Sequence, residues 1–184
     1  MTSINSADRA TIVAGRHYLI ATDGSCISNP GPGGWAVVKQ LRHGDQLLQQ
    51  APNAGRSQSL MTTNNQMEMM AVIMAVEGIR EPETPTIIQA DSAYVLDGFT
   101  VYLPNWKTNG WKVSKGKVQN RDLWERLDAA CAGKTIYWEK IKGHSGHGMN
   151  EITDVLAKKA AIGKLPKGQA SIRKQHPELF FRRP

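Results

Sequence analysis

Four carboxylates lie next to apolar segments of the sequence, where acidic side chains are unusual. Asp23 and Asp91 each end a short apolar run that is typical of a buried strand. Glu68 stands beside the apolar stripe of one predicted helix, and Asp154 lies near the start of another. Because neighbouring parallel strands present their carboxyl ends at one edge of a sheet, we expect Asp23 and Asp91 to lie together there. A shared site for all four is the resulting hypothesis.

Four converging carboxylates would repel one another and raise one another's pKa unless cations neutralised them. A ligand set made only of oxygen suits Mg²⁺, with Mn²⁺ as a substitute, rather than zinc. Two such ions roughly 4 Å apart suit the in-line attack of water on a phosphodiester. The acidic set therefore predicts metal-dependent hydrolysis of a nucleic acid.

Each carboxylate also has a purely structural explanation. Asp23 and Asp91 belong to a residue type that forms turns through hydrogen bonds to its own backbone. Glu68 and Asp154 stand near the starts of their predicted helices, where a negative charge complements the helix dipole. Only the combination of the four favours a metal site over these separate roles.

A glycine-punctuated segment with two histidines, GHSGHG at 143–148, comes shortly before Asp154. A histidine here is suited to proton transfer near the leaving group, because its pKa lies close to neutrality. His144 is the candidate. An exposed histidine pair in a turn is the alternative interpretation.

The net charge of +7 is unevenly distributed along the 184 residues. Residues 1–97 carry −3, residues 98–121 carry +5, residues 122–162 are neutral and residues 163–184 carry +5. A basic surplus of this kind predicts a polyanionic partner, nucleic acid before membrane. For the last segment we expect additional non-specific binding to phosphates and no element of the core.

The basic stretch also interleaves aromatic side chains with lysines: Tyr102, Trp106, Lys107, Trp111 and Lys112. Lysines of such a stretch bind the nucleic-acid backbone, and the aromatic rings pack against sugar or base. The alternative is that the rings only anchor a loop to the core.

The periodicity predicts one α/β domain with a mixed sheet, in which an antiparallel meander is followed by parallel strands. Apolar runs predict strands at 18–22, 35–38, within 45–60, at 86–90 and at 135–141. Helical spacing predicts helices from Thr62 to about Gly78 and over 93–100, 122–132 and 150–161. Residues 1–17 are expected to be a polar extension, and 101–120 show little period.

The sequence also excludes some classes of protein. It has no apolar run near the ~20 residues that span a bilayer, and its first residues lack the apolar stretch of a signal peptide. Cys26 and Cys131 have no metal-type spacing and are expected to be free thiols of a reducing compartment. We expect a cytoplasmic monomer without a membrane partner.

Five blocks of the sequence, in order over about residues 18–162, resemble bacterial ribonuclease H of the type-1 class. The blocks are TDGSC at 22–26 with NPGPGG at 29–34; TTNNQME at 62–68; ADS at 90–92 followed by YV at 94–95, Gly98, NW at 105–106 and GWK at 110–112; DLW at 122–124; and KGHSGH at 142–147 followed by NE at 150–151 and Asp154.

This resemblance implies the ribonuclease H-like fold, a five-stranded mixed sheet with helices on both faces, for a catalytic domain at 18–162. It also implies hydrolysis of the RNA strand of RNA–DNA hybrids, which leaves 5′-phosphate and 3′-hydroxyl ends. Asp23, Glu68, Asp91 and Asp154 match the family's four metal-binding carboxylates, and His144 matches its loop histidine.

Other positions match the family's substrate contacts. Asn29, Asn64 and Asn65 match residues that contact the substrate, and Thr63 and Asn120 match residues that hold a phosphate of the DNA strand. Segment 102–117 matches a basic protrusion that grips the hybrid, with Tyr102, Trp106, Lys107, Trp111, Lys112, Lys115 and Lys117 as candidate contacts.

Some positions depart from the family pattern. Bacterial members often have Arg where this chain has Met61 and Gln66, Gln where it has Ala93 and Trp where it has Tyr102. The absence of Arg at position 61 is expected to weaken the pocket for the DNA phosphate. Residues 1–17 and 163–184 lie outside the resemblance.

The sequence therefore predicts a Mg²⁺-dependent endoribonuclease that acts on RNA–DNA hybrids. A catalytically weak hybrid-binding module is one alternative, but such a module gains nothing from four mutually repelling carboxylates. A nuclease of the same fold that acts on DNA is the other. The blocks around Asn29 and Asn64 disfavour it, because in the family they accompany contact with the RNA strand.

Overall fold

A mixed sheet of six strands forms the centre of the molecule, which we describe from a computed structural model. The structure describes residues 4–114, 116–142, 148–165 and 169–183. The strands are β1 (Arg16–Cys26), β2 (Gly33–His43), β3 (Gln46–Arg56), β4 (Thr86–Ala90), β5 (Ile136–Lys140) and β6 (Phe181–Arg182). Their order across the sheet is β5-β4-β1-β2-β3-β6. Strands β5, β4 and β1 are parallel, and β1, β2, β3 and β6 pair antiparallel in turn.

Helices connect and cover these strands. They are α1 (Ser6–Ala14), α2 (Asn64–Glu77), α3 (Ala93–Asp97), α4 (Leu103–Thr108), α5 (Arg121–Cys131), α6 (Gly148–Ala161) and α7 (Gln169–Gln175). A π-helical turn (Gly98–Tyr102) joins α3 to α4, and a 3₁₀ turn (Pro177–Leu179) precedes β6. Within the described residues, no helix combines the length and the apolar character needed to cross a membrane.

Alternating residues of the strands face two separate apolar cores. Trp35 and Val37 of β2 point to one side and pack with α2 and α5, whereas Ala36 points to the other side and packs with α6 and α7. This alternation is the period of two of an extended strand. Helices therefore cover both faces of the sheet, as the resemblance implied.

Helix α2 begins where the polar run before it predicts. The Thr63 side chain accepts a hydrogen bond from the Gln66 backbone N–H, and the Gln66 side chain accepts one from the Thr63 N–H. This reciprocal arrangement is a capping box, which satisfies two of the donors left open at a helix start. Beyond it, Met69, Val72 and Ile73 are fully buried, and burial of each such side chain stabilises the fold by roughly 1.5–3 kcal/mol.

Three predictions about elements were wrong. Strand β1 does not end at Asp23 but continues to Cys26, because β2 pairs with it as far as Gly33. The stretch 101–120 is not without regular structure, since α4 covers Leu103–Thr108. Its register was visible in the sequence: Val95, Phe99 and Leu103 recur every four residues and are all buried.

The third error concerns the C-terminal segment, for which no core element was expected. Leu165 and Ile172 of this segment are buried against α6 and β3. Its strand β6 pairs with Gln49 and Gln50 of β3 and supplies the sixth strand where five were expected. A strand of two residues is too short for any periodicity, so the sequence could not reveal it.

The N-terminal extension is also structured. Asn5 caps α1 by accepting a hydrogen bond from the Asp8 N–H. The Ile4 N–H donates to the Trp138 carbonyl of β5, and Arg9 forms an ion pair with Glu139. The extension thus covers the outer strand of the sheet. Elsewhere, Cys26 and Cys131 are free thiols, as expected.

Candidate active site

Three of the four predicted carboxylates meet at one point of the structure. Asp23 projects from β1, Asp91 follows the last residue of the parallel strand β4, and Glu68 lies in the second turn of α2. One carboxylate oxygen from each lies within 4.8 Å of the others. Neighbouring parallel strands bring the two aspartates to one edge, as the sequence predicted.

Gly24 allows Glu68 to reach this point. A Cβ at position 24 would lie 2.2 Å from the Glu68 backbone nitrogen and 2.3 Å from the Met67 carbonyl carbon. No side chain fits such a gap, so α2 rests directly on the backbone of β1. The close approach of helix and strand delivers Glu68 to Asp23.

Full ionisation of the cluster is electrostatically unfavourable. Burial, followed by the negative charges of Asp91 and Asp154, raises the pKa of Asp23 to about 7. Burial, followed by Asp23 and Asp91, raises the pKa of Glu68 to about 9. Without a cation, the group therefore retains protons at neutral pH, and a bound cation would displace them.

The cluster fits a hard divalent cation. One oxygen of Glu68, Oε2, is buried and lacks a hydrogen-bond partner among the described residues. A buried polar atom without a partner is costly, and a metal ion would satisfy it. All three donors are carboxylates, the oxygen ligands that Mg²⁺ prefers.

Asp154 lies outside this tight group of three. Its carboxylate pairs with Lys158, one turn further along α6, at 2.7 Å. The negative charge of Asp154 nevertheless acts on the cluster, where it raises the pKa of Asp23. Lys158 was not predicted as part of the site, although the spacing of four residues on a helix is the usual signal for such a pair.

The predicted loop histidine, His144, lies outside the described residues, as does Lys115 of the predicted protrusion. Their predicted roles stay predictions.

The predicted substrate-contacting asparagines surround the start of α2. The Asn64 backbone N–H donates to Asn29 Oδ1 at 3.2 Å, which joins the loop after β1 to this helix start. Asn29, Asn64 and Asn65 are all exposed. Thr63 caps the helix beside them. The structure thus brings these four residues together next to Glu68.

A hydrogen-bonded chain connects this helix start to α5. Gln66 Nε2 donates to Asn120 Oδ1 at 3.1 Å, and Asn120 Nδ2 donates to the Tyr94 hydroxyl at 2.9 Å. Asn120 itself has a left-handed backbone (φ 55°) at the start of α5. Tyr94 was not predicted as part of the site. The spacing of Thr63 and Gln66, a capping-box pattern, was the signal for the Gln66 orientation.

The aromatic residues of the basic stretch form a stacked row. Ring centroids lie 5.9 Å apart for Tyr102 and Trp106 and 6.1 Å apart for Trp106 and Trp111. Trp106 also contacts Trp124 of the core at 5.7 Å. Trp106 is therefore an anchor to the core, the alternative considered above, whereas Tyr102 is 53% exposed and available to a ligand.

The basic residues of this stretch also divide into those that contact other side chains of the protein and those that are exposed. Lys107 pairs with Asp128 of α5 at 2.7 Å, and Arg121 stacks on the Trp111 ring with its guanidinium 4.9 Å from the centroid. Lys112 and Lys117 are exposed. The stretch combines exposed positive charge with an aromatic surface, which suits a nucleic-acid backbone.

Comparison with known proteins adds a family to this geometry. The family profile described as RNase H matches residues 15–162. A protein from Jannaschia sp. (strain CCS1) named Ribonuclease H is 49% identical over 138 residues, which cover 74% of this chain and 86% of that protein. The Ribonuclease H of Alcanivorax borkumensis is 45% identical over 161 residues, which cover 85% of this chain and 99% of its own length.

A solved structure agrees. LC9-RNase H1, a type 1 RNase H with the type 2 active-site motif, superposes with a TM-score of 0.72 at 28% identity and covers 81% of this chain and 74% of its own.

Proposed function

The chain belongs to the bacterial ribonuclease H family, and from this premise we propose that it hydrolyses the RNA strand of RNA–DNA hybrids at the carboxylate cluster. The single observation that carries the proposal is the meeting of Asp23, Glu68 and Asp91 within 4.8 Å. A cluster of three half-buried carboxylates is unfavourable for the stability of the fold, which supports a functional role for it.

Asp23, Glu68 and Asp91, with Asp154 beside them, would hold divalent cations, for which we propose two Mg²⁺ ions with Mn²⁺ as a substitute. When bound, the ions would supply Lewis-acid activation of water and of the phosphodiester. The water oxygen bonds to phosphorus, the P–O3′ bond breaks, and the 3′ oxygen takes up a proton. The products are a 5′-phosphate and a 3′-hydroxyl.

The residues around the cluster orient the substrate. Asn29, Asn64 and Asn65 are exposed next to Glu68 and are suited to reading the 2′-hydroxyl, the group that distinguishes RNA from DNA. Thr63 and Asn120, joined through Gln66, would hold a phosphate of the DNA strand. Tyr102, Lys112 and Lys117 would bind the backbone further along.

Two residues with proposed roles lie outside the part of the chain that the structure describes. His144 would transfer the proton to the leaving 3′ oxygen, and Lys115 would add a phosphate contact. We also propose that the enzyme acts as a cytoplasmic monomer, since the three clustered carboxylates come from one chain. Sedimentation at several protein concentrations tests the oligomeric state.

The central experiment replaces one ligand. Asp23→Asn is expected to reduce Mg²⁺-dependent cleavage of a labelled hybrid by at least 10²-fold, because the amide removes a charge that cation binding requires. Asp45→Asn, at an exposed turn between β2 and β3, is the matched control and should leave turnover unchanged. Turnover of Asp23→Asn near the control rate would contradict the metal-site assignment, provided that both variants unfold cooperatively.

The substrate class is tested with four duplex or single-stranded forms under the same conditions: hybrid, double-stranded RNA, double-stranded DNA and single-stranded RNA. Cleavage of the RNA strand of the hybrid alone supports the proposal. Cleavage of DNA would favour the alternative of a DNA nuclease, and tight binding without cleavage would favour a hybrid-binding module.

A further inference from the structure

The C-terminal part of the chain carries a positive charge that lies outside the carboxylate site. Residues 163–184 contain six Lys or Arg side chains and one acid, Glu178. Residues beyond 162 also lie outside the family match. The charge therefore requires an explanation separate from the catalytic cluster.

These bases stand on a rigid support. Ile172 of α7 is fully buried among Ala36, Ala54 and Leu156, and β6 pairs with β3. The Arg183 N–H donates to the Leu48 carbonyl at 2.8 Å, which fastens the end of the segment. Positive charge held on a fixed surface loses less conformational entropy on binding than charge on a mobile tail.

The exposed face of the segment combines bases with aromatic rings. Lys174 and Arg182 are exposed, and neither forms an ion pair with any residue that the structure describes. Arg173 lies over the Phe180 ring, 4.3 Å from its centroid, and Phe181 is 43% exposed. Free positive charge next to exposed rings is the composition of surfaces that bind nucleic-acid strands.

The one acid of the segment does little to cancel this charge. Glu178 lies 3.1 Å from His176 Nδ1, and the other ring nitrogen of His176 lies 3.2 Å from Lys159 Nζ. The hydrogen bonds from its own backbone N–H and from His176 keep the pKa of Glu178 below its usual value. Its carboxylate is therefore engaged locally and leaves Lys174 and Arg182 free of a counter-ion.

We propose that the described residues 163–165 and 169–183 form a second nucleic-acid surface, which binds the phosphodiester backbone of the substrate away from the point of cleavage. The inference rests on the proposed function for the identity of the substrate. Strand β6 is three strands from β1, a distance of ~14 Å across the sheet. On β3, Phe181 pairs with Gln50, which is four residues from Ala54. Because Ala54 is level with Asp23 across the sheet, the offset along the strands is ~13 Å. The surface thus lies ~20 Å from the cluster, about six base pairs of duplex.

This position is on the other side of β1 from the basic stretch at 98–121. Helix α3, which leads into that stretch, follows β4 and contacts β5 at the opposite end of the sheet. The two basic surfaces therefore lie on opposite sides of the carboxylates and on opposite faces of the sheet, so a substrate that contacts both must be long enough to pass from one face to the other. A short substrate centred on the cluster would not reach the C-terminal surface.

The test compares Lys174→Gln/Arg182→Gln with the unmodified protein. The dissociation constant is measured in chelator, where no cleavage occurs, over a range of salt concentrations. The ligands are a hybrid of about 8 base pairs (~27 Å), a hybrid of about 24 base pairs, and the short hybrid with a single-stranded DNA overhang of about 16 nucleotides. Arg16→Gln/Arg80→Gln removes the same charge from exposed positions at the start of β1 and after α2 and is the control, although Arg16 also loses its ion pair with Glu81.

We expect the C-terminal variant to bind the long hybrid about 3- to 10-fold more weakly at low salt. The slope of log affinity against log salt should fall by about one to two, the value for one or two lost phosphate contacts. Affinity for the short hybrid and turnover on it should be unchanged, and the control should keep the full slope. Loss on the long hybrid would place duplex on the surface, and loss on the overhang ligand would place single strand there; either supports the proposal.

Equal slopes for the variant and the unmodified protein would overturn the proposal. So would an equal loss on the short and long hybrids, or an equal loss in the control, since each would show a general effect of charge. Binding to phosphatidylserine vesicles that falls in the variant while hybrid affinity is unchanged would assign the surface to lipid instead. Because binding is read without cleavage, failure of the proposed hydrolysis would leave this result interpretable.

Discussion

Asp23 and Glu68 of the candidate site each oppose the stability of the fold that carries them. Burial and the charges of Asp91 and Asp154 raise the pKa of Asp23 to about 7, and burial and the charges of Asp23 and Asp91 raise that of Glu68 to about 9. In an unfolded chain both groups would titrate near pH 4. Between these values the folded protein binds more protons than the unfolded chain does, so its stability falls as the pH rises.

For individual residues, these raised pKa values predict that the stability of the protein depends on pH. In chelator, the Tm of the protein is expected to fall between about pH 5 and pH 9, because deprotonation is opposed only in the folded state. Mg²⁺ should reverse the trend, since the ion replaces the protons and its stabilising effect increases with pH. Thermal unfolding across this range, with and without Mg²⁺, provides the measurement. A Tm that rises with pH in chelator would contradict the assignment of these protons.

Glu68→Gln separates activity from stability. The amide keeps the size of the side chain and is neutral without taking up a proton on folding, so we expect the variant to be more stable than the unmodified protein at pH 8 in chelator. Cleavage of the hybrid should be lost in the same variant. Glu77→Gln, at an exposed site on the same helix, is the control for the general effect of such a substitution and should raise neither property. A lower Tm for Glu68→Gln at pH 8 would contradict the raised pKa of Glu68.

At the scale of elements, the site depends on the contact between β1 and α2. Gly24→Ala would place a methyl group 2.2 Å from the Glu68 backbone nitrogen. The helix must then move away from the strand, so we expect a loss of stability of about 1–3 kcal/mol and a larger loss of activity, because Glu68 moves with the helix. Urea unfolding and hybrid cleavage measure the two effects.

Gly15→Ala is the control for this substitution. Its nearest atom would lie 3.9 Å from the new Cβ, and its φ of −96° is open to any residue. This variant should differ little from the unmodified protein. If Gly24→Ala behaved in the same way as Gly15→Ala, the helix would not rest on the strand at this point.

At the scale of the whole molecule, the residues that sequence reasoning found are those with a strong local signal. Asp23 and Asp91 follow apolar runs in the sequence, and Thr63 begins a capping box, so their places could be derived from pattern alone. Tyr94 touches the site through a contact with Asn120 that crosses from one element to another, and periodicity does not describe such contacts. The same limit applies to β6, whose two residues join the sheet only because α7 carries the chain back to β3.

The docking of that last segment yields a prediction for the whole molecule. Ile172 is fully buried between α7, α6 and the sheet. Ile172→Ala should therefore lower the free energy of unfolding by about 2–4 kcal/mol. Ile162, half-exposed at the end of α6, is the matched control, and Ile162→Ala should cost less than about 1 kcal/mol. Equal, small effects of the two substitutions on urea unfolding would mean that the C-terminal segment does not share the core. A large effect of Ile172→Ala alone would establish the segment as a structural part of the enzyme, with a fixed surface on which its bases can act.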